Sequence, residues 1–442
     1  MIGSGIFIVS AKSARLLGSG GWLVAAWAIA GLLTMIAALS CSELAAMMPR
    51  AGGQYVFFRE AYGPLFGFLF GWTMFLVVQT GTIAAVAVAF AKFLGVLWPA
   101  VSEAKTQFGP LSVSAAQGVG VVVVVLLTAS NATGLRTGTT TQNVFTFAKL
   151  AALVGLTVFG LVLGREGAAL STGDFWRAVS EDGRALTGTA LLVALGTAMV
   201  GPLFSQSAWN NVTFAGEEVE KPGRTLPIAL LAGCLLVTSL YVLANVAYLN
   251  VLPLSEIQHA PADRVATAAA TAMFGPAAAG VMAAAIMVST FGCVNGLILS
   301  GARVSFAMAR DGLFFRRLER LNRRAVPANA LWAQAFWASV LVLSGSYSDL
   351  LEYVISADIL FYVLLVVAVI VLRRKRPDLP RPFRAPGYPF LPLVYAAAGI
   401  VLIAVLLAAN PRTTWPGYAI VATGVPVFWW WRRRPQKGSG LH

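Results

Sequence analysis

The chain alternates between long stretches without a single charge and short polar segments. "GWLVAAWAIAGLLTMIAALSCS" (Gly21–Ser42) and "ILFYVLLVVAVIVL" (Ile359–Leu372) are two of the uncharged stretches. A helix needs about 20 predominantly apolar residues to cross a bilayer, so recurring stretches of this kind predict transmembrane helices. Twelve spans are expected, at 1–17, 21–47, 64–98, 113–131, 139–163, 187–214, 226–250, 273–309, 328–345, 349–372, 391–409 and 415–431. The third and eighth exceed one crossing, which implies tilt or continuation into solvent. The predicted fold class is an all-α polytopic membrane protein.

The first span is short. Only eleven residues precede Lys12, about 17 Å of helix against a hydrocarbon core of about 30 Å. A charged amino group would sit near mid-membrane, which is costly. The expectation is that the cytoplasmic half of this helix is missing and that the true start lies upstream of Met1. A secretory signal fits poorly, because no basic segment comes first.

Composition agrees. Of 442 residues, 58% are hydrophobic and 11% charged, against about 25% charged in a soluble domain. With the loop after span two placed inside, 22 Lys and Arg residues fall on the cytoplasmic side and nine outside, while Lys149 lies within a span. The positive-inside rule then puts both termini in the cytoplasm. The net charge of +14 flanks spans and faces anionic lipid, so it implies no nucleic-acid partner.

The candidate chemistry is sparse. Cys41, Cys234 and Cys293 lie inside apolar spans and read as small hydrophobes rather than disulfide or metal ligands. The two histidines, His259 and His442, are far apart in a loop and a tail. Neither a metal centre, a cofactor site nor a Ser-His hydrolase is indicated, and no catalytic residue is assigned.

Two stretches break the apolar pattern. "GSGIF" (Gly3–Phe7) and "FSQSAWNN" (Phe204–Asn211) stand five spans apart. Glycine weakens a helix by up to about 1 kcal/mol relative to alanine, and hydroxyl and amide side chains compete for backbone bonds. Unwound backbone at membrane depth persists only where protein covers it or a cavity is lined by it. Interrupted spans at matching places in two halves mark the binding site of an inverted-repeat transporter. Bared N–H groups at a half-helix start attract a carboxylate, and bared carbonyls at a half-helix end attract an ammonium. Two such gaps together suit an α-amino acid without burying a charged side chain. The alternative is that small residues simply let helices pack closely.

Five motifs in order carry a family resemblance: "GSGIF", "SELAAMMPRAGGQYVFFREAYGPLFGFLFGW" (Ser42–Trp72), "TQNVFTFAKL" (Thr141–Leu150), "WNNVTFAGEEVEKPGRTLP" (Trp209–Pro227) and "RRKRPDLPRPFRAPGYPFLP" (Arg373–Pro392). Together they resemble the amino acid–polyamine–organocation superfamily, and within it the bacterial permeases and L-type amino acid transporters. The resemblance implies a LeuT-type fold of two inverted five-helix repeats, with spans one and six broken. It divides the chain into a first repeat (1–163), a second repeat (187–372), two further helices (391–431) and a cytoplasmic tail (432–442). It also implies substrate contacts. Gly3, Ser4 and Gly5 would meet the carboxylate; Met1, Phe204 and Ser207 would offer carbonyls to the ammonium. Phe204 would gate the pocket and Ser205 would line it. Glu217 and Glu218, after the gap in span six, are expected to anchor gate or loop elements rather than bind substrate.

Lys149 stands mid-span among apolar neighbours, and an ionisable residue inside the membrane is a functional candidate by default. The resemblance places it where sodium-coupled relatives hold their ion, tying spans one, five and eight together, with Ser289 and Thr290 lining the same space. A permanently charged Lys149 implies sodium-independent exchange or facilitated diffusion. A Lys149 that loses and regains its proton implies proton symport. A snorkelling lysine is the plain alternative. Asp358 is a lesser proton-site candidate. Gln79 and Thr80 break span three, and Asn210 and Asn295 are expected to bridge helices.

The pocket stretches contain no charged side chain, so neutral L-amino acids are the expected substrates. A membrane enzyme acting on lipid-linked substrates and a channel remain as other classes. The expected setting is a bacterial-type inner (plasma) membrane. The absence of a cysteine outside the spans argues against a disulfide-linked heavy-chain partner.

Overall fold

The computed structural model describes residues 2–101, 103–108, 111–134, 138–164, 169–171, 173–345 and 347–433. In chain order its helices are α1 (Gly5–Ile8), α2 (Ser10–Leu17), α3 (Gly20–Met47), α4 (Gln54–Tyr62), α5 (Pro64–Thr73), α6 (Gln79–Leu97), α7 (Ala115–Ala132) and α8 (Gly138–Val162). They continue as α9 (Gly188–Ala198), α10 (Val200–Gln206), α11 (Pro222–Val251), α12 (Leu254–Gln258), α13 (Val265–Phe274), α14 (Ala277–Arg310), α15 (Ala328–Ser344), α16 (Tyr347–Lys375), α17 (Phe390–Ala409) and α18 (Pro411–Arg432). Among the described residues, nine helical runs are long and apolar enough to cross a membrane. Every predicted span has a helical counterpart, but α1–α2, α15 and α18 are not among those nine. One small sheet was not expected. An antiparallel hairpin pairs β1 (Lys105–Phe108) with β2 (Leu111–Ser114) between α6 and α7.

Local chemistry explains the irregularities. Between α5 and α6, Met74–Val78 forms a π-helical turn. Such a turn frees carbonyls from the regular ladder, and Trp337 Nε1 donates to the Leu76 carbonyl at 2.7 Å while Thr80 Oγ1 donates to that of Phe75 at 2.9 Å. In α10, Pro202 lacks an N–H to give the carbonyl four residues back. That carbonyl, of Ala198, accepts instead from the Ser13 hydroxyl of α2 at 2.8 Å.

Packing pairs four of the early spans with ones five spans later. The α1–α2 run meets α10, α3 meets α11, α6 meets α14 and α7 meets α15. Helix α8 runs antiparallel to the α13–α14 run, since Phe145 touches Phe291 and Phe159 touches Phe274. Among the described residues, besides a small second cluster of Ala91, Val101 and Ala116, the core is one large apolar cluster threaded through these contacts. Buried polar side chains are bonded helix to helix within it, as Asn131 Nδ2 is to Asn295 Oδ1 at 2.8 Å.

Candidate functional site

The first described residues are not helical. Ile2, Gly3 and Ser4 lead into a helical run that starts at Gly5 and continues to Leu17. Val9, between α1 and α2, keeps right-handed angles, and its N–H still bonds the Gly5 carbonyl at 2.9 Å. The first N–H groups of such a run have no intrahelical partner; at Phe7 the N–H is taken by the Ser4 carbonyl at 3.1 Å.

Helix α10 ends a short distance away. Gln206 is its last residue, Ser207 is extended and Ala208 is left-handed at φ 63°, after which Trp209–Glu218 form a 3-10 run. The final carbonyls of a helix also lack intrahelical partners. Here the Phe204 carbonyl is already engaged, accepting the Ser207 N–H at 3.0 Å and the Ser207 hydroxyl at 2.7 Å.

The two ends touch. A Cβ on Gly5 would overlap Ser205 Oγ and stand 2.7 Å from Ser205 Cβ. One turn along, a Cβ on Gly201 would stand 2.7 Å from Val9 Cβ. The helices therefore cross antiparallel at backbone contact, which only glycine allows. Ser205 turns its hydroxyl to the Gly201 carbonyl at 2.8 Å.

Aromatic rings surround this crossing. Ser4 Oγ lies 3.0 Å from the Tyr347 hydroxyl at the start of α16. Phe204 stands edge-on to the same Tyr347 ring at 6.5 Å, and Lys92 Nζ lies 5.7 Å from its centroid. From α11, Tyr248 donates to the Ile6 carbonyl at 3.2 Å, and Tyr241 contacts the Gly3 backbone. Sequence reasoning missed all three tyrosines. Tyr347 precedes the predicted start of span ten, where an aromatic is ordinarily an interfacial anchor, and the other two sit in an apolar stretch.

Ion pairs tie the elements on both faces of the bundle. On one face Lys12 meets Glu352 at 2.6 Å and Arg15 meets Asp263 at 2.8 Å. A narrow cleft lies there, lined by Val9, Lys12, Gly201, Tyr347 and Glu352 among others. On the other face Glu218 accepts both Arg303 Nε and Nη2 at 3.0 Å, and the Ala51 N–H donates to Glu217 at 3.3 Å. Both carboxylates therefore join the 3-10 run to other elements, as expected of anchors. Buried Glu43 holds Arg373 at 2.6 Å and Arg381 at 3.6 Å. Nearby, the Tyr55 hydroxyl donates to Asp311 at 2.7 Å, and burial together with Asp311 keeps that phenol protonated by raising its pKa.

The remaining predicted residues are placed as follows. Met1 lies outside the described residues. Asn210 is buried, with Nδ2 donating to Gln54 Oε1 at 2.8 Å. Lys149 is 8% exposed and has no ion-pair partner among the described residues. The Phe145 side chain packs against Gly292 of α14. With the helices antiparallel, Lys149 one turn later stands at the level of Ser289. Ser289 Oγ is buried without a hydrogen-bond partner, whereas Thr290 Oγ1 is bonded to the Ile286 and Met287 carbonyls of its own helix.

Known proteins resemble this chain along its whole length. A family model described as amino acid permease matches residues 1–429. The mouse (Mus musculus) large neutral amino acids transporter small subunit 2 is 30% identical over 445 residues, covering 99% of this chain and 80% of that protein. The serine/threonine exchanger SteT of Bacillus subtilis (strain 168) is 29% identical, covering 98% of this chain and 94% of its own length. The mouse b(0,+)-type amino acid transporter 1 is 29% identical over 93% of this chain and 80% of its own. With its motifs in order, its apolar helices and a family model spanning nearly every residue, the chain belongs to the amino acid permease family.

Proposed function

We propose that this protein is a secondary transporter that carries neutral L-amino acids across the plasma membrane by alternating access. It works without sodium, by exchange or facilitated diffusion. One observation carries the reading: the helical start at Ser4–Gly5 is seated against the end of α10 at Phe204–Ser207. The N–H groups at the first end suit a carboxylate and the carbonyls at the second suit an ammonium. Both ends are buried, and neither stretch holds a charged side chain.

In this reading Gly3, Ser4 and Gly5 take the carboxylate, while Phe204 and Ser207 offer carbonyls to the ammonium, as does Met1. Ser207 must release the Phe204 carbonyl as the ammonium arrives. Phe204 and Tyr347 close the pocket on the outer side, and Ser205 lines it. Lys149 replaces a sodium ion beside Ser289 and Thr290, while Asn210 steadies the gap in span six. The pairing of helices five spans apart supports two inverted repeats, 1–163 and 187–372, followed by two helices at 391–431 and a tail at 432–442. The printed names of two relatives, one for large neutral amino acids and one for serine and threonine, support a neutral substrate. The positive-inside count supports cytoplasmic termini. With all three cysteines in apolar helices, the protein is proposed to work without a heavy chain.

The test is counterflow with the purified chain alone in proteoliposomes. Unlabelled amino acid inside should draw in labelled neutral L-amino acid, saturably, and equally in sodium or choline buffer. Absence of counterflow for every neutral L-amino acid tried overturns the proposal.

A further inference from the structure

The Tyr347 ring is held from three directions. Its hydroxyl lies 3.0 Å from Ser4 Oγ, Phe204 stands edge-on with ring centroids 6.5 Å apart, and Lys92 Nζ lies 5.7 Å from its centroid. The first two partners belong to the crossing of α1 and α10. The third comes from α6, outside the crossing.

Lys92 is an unusual residue for its position. It lies in "VAVAFAKFLGVL" (Val86–Leu97), with apolar neighbours on both sides. A lysine near the end of a span ordinarily runs its stem along the helix and places its ammonium in water. This one does not, because its side chain is only 7% exposed. A buried ammonium is costly unless other partners replace its water. Glu103 Oε2, 3.3 Å from Nζ, is one partner. The Tyr347 ring is another, since the negative face of an aromatic attracts a cation within about 6 Å of its centroid. The backbone at this point is fixed as well, with Arg264 Nη1 donating to the Lys92 carbonyl at 3.0 Å.

Tyr347 depends on such support. It is the first residue of α16. A long side chain in a helix leans over the turn before its own, and a first residue has no such turn. Neighbours must therefore place the ring. The contact with Ser4 fixes the hydroxyl but leaves the ring free to turn about its long axis, a torsion with broad minima. A cation on the ring face removes that freedom.

We infer that Lys92 is a positioning residue for substrate binding: its ammonium orients the Tyr347 ring so that the hydroxyl meets Ser4 and the ring closes over the Ser4–Gly5 end of the site. The inference rests on the transport reading above and adds a residue to it. Lys92 acts through Tyr347 alone. Without its charge the ring turns freely, the closed arrangement that holds substrate is less populated, and KM rises while the maximal rate is retained.

The experiment measures initial counterflow rates in proteoliposomes over a range of substrate concentrations. Lys92→Met should raise KM roughly two- to thirtyfold, the range for a cation on an aromatic face. Lys92→Arg keeps a cation that stacks on rings and should return KM close to that of the unaltered protein. Lys92→Gln, neutral and polar, takes the place of the methionine variant if that one does not fold. Two backgrounds decide whether the effect runs through the ring. Tyr347→Phe keeps the ring, and Lys92→Met should raise KM there by the same factor. Tyr347→Leu removes the ring, and Lys92→Met should change nothing further there. If Tyr347→Leu does not transport, the same comparison is made on unfolding temperatures in detergent, where the effect of Lys92→Met should depend on an aromatic at position 347. An unchanged KM in a folded, neutral Lys92 variant overturns the inference. So does an effect of equal size with and without the ring. Either result leaves the transport reading intact, whereas no counterflow by the unaltered protein overturns both.

Discussion

Gly5 and Ser205 meet with no room for a side chain between them: a Cβ added to Gly5 would overlap the serine hydroxyl. Replacing Gly5 with alanine should therefore push α1 off α10. Overpacking of this kind costs about 1–3 kcal/mol. Gly5→Ala should lower the thermal unfolding temperature in detergent and abolish most counterflow. Adding Ser205→Gly should recover a large part of both, and failure of the pair to recover would show that the contact is not what limits the single variant.

Tyr347 tests the pocket differently. Its hydroxyl is 3.0 Å from Ser4 Oγ, so Tyr347→Phe removes one hydrogen bond and little volume. A bond of this kind contributes about 0.5–1.5 kcal/mol net, which corresponds to roughly a two- to twelvefold change in a binding constant. Concentration-dependent uptake should show KM rising in that range while the maximal rate is retained.

Lys149 separates function from folding. Its ammonium is buried with no ion-pair partner among the described residues, and replacing such a group by an apolar one of similar length need not destabilise. Lys149→Met should unfold at the same temperature as the unaltered protein or higher. Its counterflow should nevertheless fall at least tenfold. A variant that transports normally would leave Lys149 without a role in the cycle.

The two acidic anchors should differ in cost. Glu43 is 1% exposed and faces two arginines. Removing one partner of a buried pair costs about 3–5 kcal/mol, so Glu43→Gln should lose several degrees of thermal stability. Glu218 and Arg303 are far more open to solvent, and pairs of that kind contribute about 0–1 kcal/mol. Glu218→Gln should leave thermal unfolding within that margin, and high salt should erase what difference remains.

Much of the architecture was legible because the membrane demands it. An uncharged run as long and unalternating as Ile359–Leu372 satisfies its backbone in lipid as a helix rather than as a barrel strand, and the predicted boundaries fall within a few residues of the observed ones, except where helices outrun their predicted ends by a turn or so, as α16 does to Lys375. The polar stretch after Phe204 coincides with the extended Ser207 and left-handed Ala208 that end α10. Partners of side chains were another matter. That Glu43 would find a base was predictable; that the base would be Arg373, 330 residues later in sequence, depends on which helices pack together. Tyr347 went unnoticed for the same reason, because nothing local distinguishes a pocket tyrosine from one at the membrane surface. The hairpin Lys105–Ser114 was hidden by its weak polar alternation.

The crossing of the two short helices also limits how the molecule can move. Ser205 fills the notch at Gly5, and Val9 fills the notch at Gly201 four residues away, about 6 Å along each axis. A tooth on each helix engages a recess on the other, so neither can slide past without climbing out of both. Rotation about the line joining the two notches meets no such obstacle. In the alternating-access reading proposed above, opening toward either side pivots there, with this crossing as the fulcrum.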